Sequence, residues 1–321
     1  RPASSVIASS NPSLKQRRLL IGRRIPHAKP LAAAARSGDK QGMSPASPHI
    51  VDVLIAERAP RLTQSAAWPL VRPLLYRMLD YNRARAMANA IGPMSGQAAL
   101  DHVSGLLSLK VETQNLDRLP ATGRCLVVCN HPTGIADGLA VHDAIRTVRD
   151  DVIYFANADA LRVSPRLAET VIPVEWVTAK RTREKTRATL MAAKEAFEAE
   201  RCVVIFPAGR LARVDEQGRL TDPEWAATAA SLARKYDAPV TPIHVAGPTS
   251  RLFHLFDRFS QELRDITLFH ELLNKQGQEF DLSVGLPIPP QALDIDAAKA
   301  TEALKTFVER TLAADPDAVF A

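Results

Sequence analysis

The chain has 321 residues, 46% of them hydrophobic, with 41 Lys and Arg against 35 Asp and Glu for a formal net charge of +6. That excess is local: residues 1–42 hold nine basic residues and only Asp39 as an acid, a net +8, which leaves −2 for residues 43–321. A nucleic-acid role for the remainder loses its compositional support, and three cysteines without a CxxC pair offer no disulfide framework and fit a reducing compartment.

In chain order, residues 1–48 read as a basic, disordered leader, rich in Ser, Ala, Pro and Arg and lacking acids before Asp39, a composition shared with organellar transit peptides. Met43 offers an internal start, and Ser44 onward fits the protein proper. Residues 49–105 are predicted to be an N-terminal helical segment. Within residues 67–90, Val71, Leu74, Leu75 and Met78 share one side of a helical wheel, with Arg72, Arg77, Asp80 and Arg83 toward the other and Trp68, Tyr76 and Tyr81 nearby. A helix lying on anionic lipid and a helix packed on the next domain both satisfy this pattern. No uninterrupted apolar run approaches the length of a spanning helix.

From residue 106 to 321 the pattern alternates. Strand-like runs occur at Leu106 to Val111, Cys125 to Cys129, Val152 to Ala156, Val171 to Val174, Cys202 to Phe206, Val240 to Val245 and Asp281 to Leu286. Helical spacing intervenes at Ala140, Val141, Ala144, Ile145 and Val148 and at Leu190, Ala193 and Phe197. Another helix is expected to start at Asp222-Pro223 and to carry Trp225, Ala229, Leu232 and Tyr236, and a closing helix is expected over Ile295 to Ala313. The alternation predicts one α/β domain, a mostly parallel central sheet flanked by helices.

Two strand ends carry chemistry. The run Val127-Val128-Cys129 leads into Asn130-His131-Pro132-Thr133-Gly134-Ile135-Ala136-Asp137, which delivers a histidine and an aspartate to one turn between a strand and a helix. A carboxylate beside an imidazole fixes its tautomer and stabilises the imidazolium, the usual preparation of a general base near neutral pH. Backbone N–H groups near Gly134 are expected to face whatever docks there. The second strand end, Phe206-Pro207-Ala208-Gly209-Arg210-Leu211-Ala212-Arg213, sets Arg210 and Arg213 as a fork for phosphate or carboxylate. Parallel sheets collect ligands at the carboxyl ends of their strands, so the two turns are expected to share a crevice.

Together these segments resemble the blocks of the phospholipid/glycerol acyltransferase family: Asn130-His131 with Asp137, Val171-Ile172-Pro173-Val174, Phe206-Pro207-Ala208-Gly209-Arg210, and Val240-Thr241-Pro242-Ile243-His244-Val245-Ala246-Gly247. Five residues separate His131 from Asp137 where four are commonest, and Ala208 stands where many members have glutamate; both variants resemble a hemolysin-like and ornithine-lipid-type branch. The resemblance implies a glycerol-phosphate-acyltransferase-like fold and acyl transfer from acyl carrier protein or coenzyme A to a lysolipid hydroxyl, with 1-acylglycerol-3-phosphate the first acceptor to consider and a lyso-ornithine lipid the alternative. It implies His131 as base, Asp137 as its orienter, and Gly134, Gly209, Arg210 and Arg213 as substrate-binding, with no metal or cofactor. Lys180 and Arg181, just beyond the second block, fall where the family keeps acceptor-binding cations. The work would be done by a peripheral enzyme at the cytoplasmic face of a membrane, or in an organelle if the leader acts as a transit peptide. A noncatalytic lipid- or carrier-binding relative, a thioesterase, and a thiol nucleophile at Cys129 are the competing readings.

Overall fold

The computed structural model describes residues 47–175 and 180–321, so the expected leader lies almost wholly outside the described residues. The described chain opens with five helices, α1 (Ile50–Arg58), α2 (Pro60–Thr63), α3 (Trp68–Met78), α4 (Tyr81–Ile91) and α5 (Gly96–Leu107). The continuous helical stretch expected over residues 67–90 is broken between α3 and α4, where Asp80 adopts a left-handed φ of 53°. Alternation follows with β1 (Lys110–Gln114), β2 (Cys125–Cys129), α6 (Ile135–Ile145), β3 (Val152–Asn157), α7 (Asp159–Val163), β4 (Val171–Val174), α8 (Arg183–Glu198) and β5 (Cys202–Ile205). A short hairpin of β6 (Arg213–Val214) and β7 (Leu220–Thr221) precedes α9 (Thr228–Lys235) and β8 (Val240–Ala246). The chain ends through α10 (Arg251–Phe259), α11 (Gln261–Asp265), α12 (Leu268–Leu273), β9 (Glu279–Val284), α13 (Ala297–Thr306) and α14 (Leu312–Ala314).

The main sheet has seven strands in the order β1-β9-β8-β2-β5-β3-β4. Every neighbouring pair is parallel except β8 with β9. This is the mostly parallel α/β sheet that the alternation predicts. The central strand β2 is buried at every position, as a strand covered on both faces must be. Its residues divide by parity: Cys125, Val127 and Cys129 pack into a layer with α4, α5, α6 and α12, whereas Leu126 and Val128 pack into a second layer with α8, α9 and α13.

Three expected elements differ. The strand expected from Leu106 begins only at Lys110, because α5 continues through Leu107, which is fully buried, and stops at Ser108 with φ 45°. The helix expected from Asp222-Pro223 starts at Thr228; the Asp222 carboxylate holds another part of the chain, described below, and does not cap a helix. The closing helix passes through a π-helical turn at Phe307–Thr311 before α14.

Backbone pairing between β2 and β8 runs to Cys129 and Ile243, and the next residue continues the link through its side chain. Asn130 donates to the Val245 carbonyl at 2.9 Å and accepts from the Val245 N–H at 2.7 Å, all buried. Stranding two buried polar groups is costly. Asn130→Ala is therefore expected to lower unfolding stability by about 2–4 kcal/mol, read as a reduced urea midpoint with unchanged slope; a loss within error of zero would show that β8 holds this edge without the amide.

Candidate active site

His131 lies two residues past the end of β2, and Asp137 is the third residue of α6, so the strand-to-helix turn folds them together. His131 Nδ1 lies 2.9 Å from Asp137 Oδ2. The same carboxylate accepts from the Thr133 N–H at 2.9 Å, the Gly134 N–H at 3.0 Å and the Thr133 hydroxyl at 2.5 Å. Those donors sit at the N-terminus of a helix, where a carboxylate is favoured. Asp137 is fully buried while the His131 side chain is 16% exposed. Since the carboxylate is the acceptor in this cluster, the proton between the two belongs on Nδ1, which leaves Nε2 with its lone pair as an acceptor. Gly134 takes φ 99°, and a Cβ there would meet Leu211 at 3.2 Å. One expectation is corrected: the Thr133 and Gly134 N–H groups are spent on Asp137, so Gly134 does not offer its amide to a ligand.

The turn after β5 closes over the same place. The Ala212 N–H donates to the His131 carbonyl at 2.9 Å, and the Phe206 ring lies 4.7 Å from the imidazole, centroid to centroid. Gly209 makes the bend with φ 59° and donates its N–H to the Phe206 carbonyl at 3.0 Å. Ala208, at the position where many acyltransferases carry glutamate, is buried in the second layer. The two strand ends thus meet as the sheet order requires, β2 and β5 being neighbours.

Residues 110–246 match the family model described as Acyltransferase. Over that stretch, 137 of its 321 residues, the chain resembles this acyltransferase family. It is similar to a lyso-glycine lipid O-acyltransferase from Phocaeicola vulgatus, 29% identical over 195 residues that cover 59% of this chain and 67% of the relative. It is also similar to a lyso-glycine lipid O-acyltransferase from Bacteroides thetaiotaomicron, 24% identical over 250 residues, 76% of this chain and 89% of the relative. Among solved structures, the 1-acyl-sn-glycerophosphate acyltransferase PlsC from Thermotoga maritima aligns with a TM-score of 0.44 and 13% identity, covering 81% of this chain and 97% of PlsC.

The remaining candidates separate. Arg210 is exposed and makes no hydrogen bond or ion pair with any described residue. Arg213 instead reaches Asp257 of α10 at 4.0 Å, too far for its buried Nε to form a hydrogen bond, so it is part of a surface contact rather than a free second tine of the fork. Lys180 pairs with Glu57 of α1 at 2.8 Å, and Arg181 donates to the Glu175 carbonyl at 2.9 Å. No hydrogen bond or ion pair links either of them to the His131 turn. Cys129 is fully buried, and burial pushes its thiol well up, the opposite of what a thiolate nucleophile needs.

Sequence reasoning missed the residues that hold His131 from behind. Asp222 accepts the His131 backbone N–H with both oxygens, at 3.1 and 3.0 Å, and the Trp225 indole N–H at 2.9 Å. Its own N–H donates to Glu309 at 2.5 Å, and Glu309 also accepts from the Thr221 hydroxyl. The available signal was Asp222-Pro223 with Trp225 just beyond the third block, which the periodicity assigned to a helix. Nearby, Lys275 and Glu271 form a buried pair 3.6 Å apart, and burial lowers the Lys275 ammonium while the charges of Glu271 and Asp137 oppose that. Lys275 therefore adds a positive charge within electrostatic reach of Asp137.

Burial pushes the Asp222 carboxyl up from 3.8 to about 7, against its hydrogen-bond donors. Between those values the folded state keeps a proton that the unfolded chain releases, so this contribution to stability is complete below the unfolded value and is lost as pH rises through about 7. Asp222→Asn should flatten the fall in stability between about pH 5 and about pH 8, by about 3 kcal/mol, measured as urea midpoints of both proteins at the two pH values. An identical pH slope in the two would mean that Asp222 is ionised throughout.

Proposed function

We propose that this acyltransferase moves a fatty acyl group from a thioester, on acyl carrier protein or coenzyme A, to the hydroxyl of a lysolipid with an amino-acid head. The observation that carries the reading is the His131–Asp137 hydrogen bond, with Nε2 left without a hydrogen-bond partner among the described residues. A hydroxyl placed at Nε2 gives up its proton as its oxygen attacks the thioester carbonyl. The C–O bond forms, the C–S bond breaks, and the imidazolium returns the proton to the departing thiolate. Asp137 stays ionised and keeps the ring in the required tautomer. Donors for the tetrahedral oxyanion come from the N–H groups of Ile135 and Ala136, since those of Thr133 and Gly134 serve Asp137 and that of Asp137 donates to the Gly134 carbonyl. No acyl-enzyme or metal enters this scheme.

The similarity to two bacterial lyso-glycine lipid O-acyltransferases favours a lyso-amino-acid lipid over 1-acylglycerol-3-phosphate. One free guanidinium, Arg210, suits a single anionic group on such a head. A noncatalytic lipid binder is disfavoured because it has no use for a buried carboxylate that orients an imidazole.

A lipid acceptor requires access to a bilayer. No helix of the described residues is long and apolar enough to cross one. On α3, Trp68, Leu75 and Tyr76 pack inward on the first layer, whereas Leu70 and Leu74 are 83% and 63% exposed. We assign this outer face, with Arg72 and Arg77 beside it, to the membrane surface.

His131→Ala is expected to cut diacyl-lipid formation by about two to four orders of magnitude while leaving thioester binding intact, assayed with labelled acyl thioesters against lyso-glycine lipid, lyso-ornithine lipid and lysophosphatidic acid. Product from lysophosphatidic acid alone would refute the amino-acid head; free fatty acid without diacyl product would mark a thioesterase.

A further inference from the structure

The second layer carries a feature that the proposed chemistry does not use. Between α8 and α9 runs a shallow cleft of about 510 Å³ whose walls include Arg183, Arg187, Lys194 and Lys235 and whose floor includes Leu190 and Met191. Among the described residues, no acidic side chain lines it. Leu190 and Met191 are 48% and 44% exposed, an unusual condition for neighbouring large apolar residues on a helix. Arg183 and Arg187 have no ion-pair partner among the described residues, Lys194 lies 3.5 Å from Glu198, and the Lys235 ammonium sits 5.2 Å over the Tyr236 ring. This concentration of positive charge is local, because residues 43–321 sum to −2.

The pattern has a shape. Arg183, Arg187, Leu190 and Lys194 recur at three- and four-residue steps, one continuous stripe along α8, roughly 16 Å long at 1.5 Å per residue. A stripe of that length with apolar residues inside a basic border matches an acidic amphipathic helix laid in the groove. It is poorly matched to the compact phosphates of a nucleotide thioester. It is also poorly matched to a bilayer: the cleft is concave, and it belongs to the layer opposite the one on which α3 packs. α8 follows β4, and β4, β3, β5 and β2 run parallel, so the start of α8 lies at the same sheet edge as His131. Three strand spacings separate β4 from β2, about 14 Å, a span that a flexible thioester arm can bridge.

We propose that the α8–α9 cleft is the docking site for an acidic helix of a small carrier protein that presents the acyl thioester. The proposal rests on the acyl-transfer reading above and selects carrier protein over coenzyme A as donor. Docking of this kind is electrostatic, so it weakens with salt and responds to charge reversal more than to shape.

The test uses the full chain and two donors, palmitoyl-acyl carrier protein and palmitoyl-coenzyme A. In Arg183→Glu/Arg187→Glu/Lys194→Glu, KM for the carrier-bound donor is expected to rise tenfold or more with kcat unchanged, and KM for the coenzyme A donor to stay within twofold. The milder Arg183→Gln/Arg187→Gln should shift the carrier KM in the same direction, which guards against misfolding of the triple variant. Direct titration of palmitoyl-acyl carrier protein into His131→Ala, with and without the cleft substitutions, reads docking without turnover; binding abolished by the substitutions supports the cleft even if no acyl product is ever seen. Equal carrier KM and equal carrier affinity in parent and variants would overturn the proposal. So would loss of binding to phosphatidylglycerol vesicles with carrier affinity intact, which would assign the cleft to membrane lipid.

Discussion

One carboxylate organises the centre of this molecule. Asp137 takes two backbone N–H groups, a hydroxyl and the imidazole at once, so the fold of the turn and the orientation of His131 are a single condition. Five residues between histidine and aspartate are accommodated because the chain makes its bend before the helix starts. Gly134, at φ 99°, supplies a conformation that other residues strain to adopt, and Asp137 then falls in the first helical turn, where the helix end favours its charge. The N–H groups of Thr133 and Gly134 committed to the aspartate are withdrawn from any ligand.

The turn is also held on its other side. Ala212 donates to the His131 carbonyl and Asp222 accepts its N–H, so both backbone groups of the histidine are tied to the segment after β5. That segment begins at a neighbouring strand and returns through the β6–β7 hairpin, and Glu309 near the C-terminus fixes Asp222 in turn. An imidazole positioned through its main chain as well as its ring has little freedom to drift from Asp137. The cost is a buried carboxyl at Asp222 whose ionisation burial opposes.

What could be read in advance followed the strength of local patterns. Cys125–Cys129 and Val171–Val174 appear with the expected bounds because continuous apolar runs of strand length leave few alternatives. The pairing of His131 with Asp137 was legible because both lie within one turn. Long-range ties were not: nothing in the sequence links Asp222 to His131, Arg213 to Asp257 or Lys180 to Glu57, since each joins elements distant in the chain. Asp222 was misread for a physical reason, since Asp-Pro before an apolar period is a sound helix start, and here tertiary hydrogen bonding outcompeted the cap. The same gap explains the arginine fork, which spacing alone makes look symmetric although α10 engages only Arg213.

The sheet imposes a division on everything outside the turn. Because β2 alternates its side chains between two layers, the helices before the first strand, together with α6 and α12, share one face, and α8, α9 and α13 the other. The exposed apolar side chains Leu70 and Leu74 belong to the first face, and the unpaired arginines of α8 to the second. His131 stands at the carboxyl end of β2, an edge of the sheet that both faces border. In the reading proposed above, a lipid acceptor and a carrier-borne donor need approaches that do not compete, and a parallel sheet with its candidate site at the strand ends offers one over each layer.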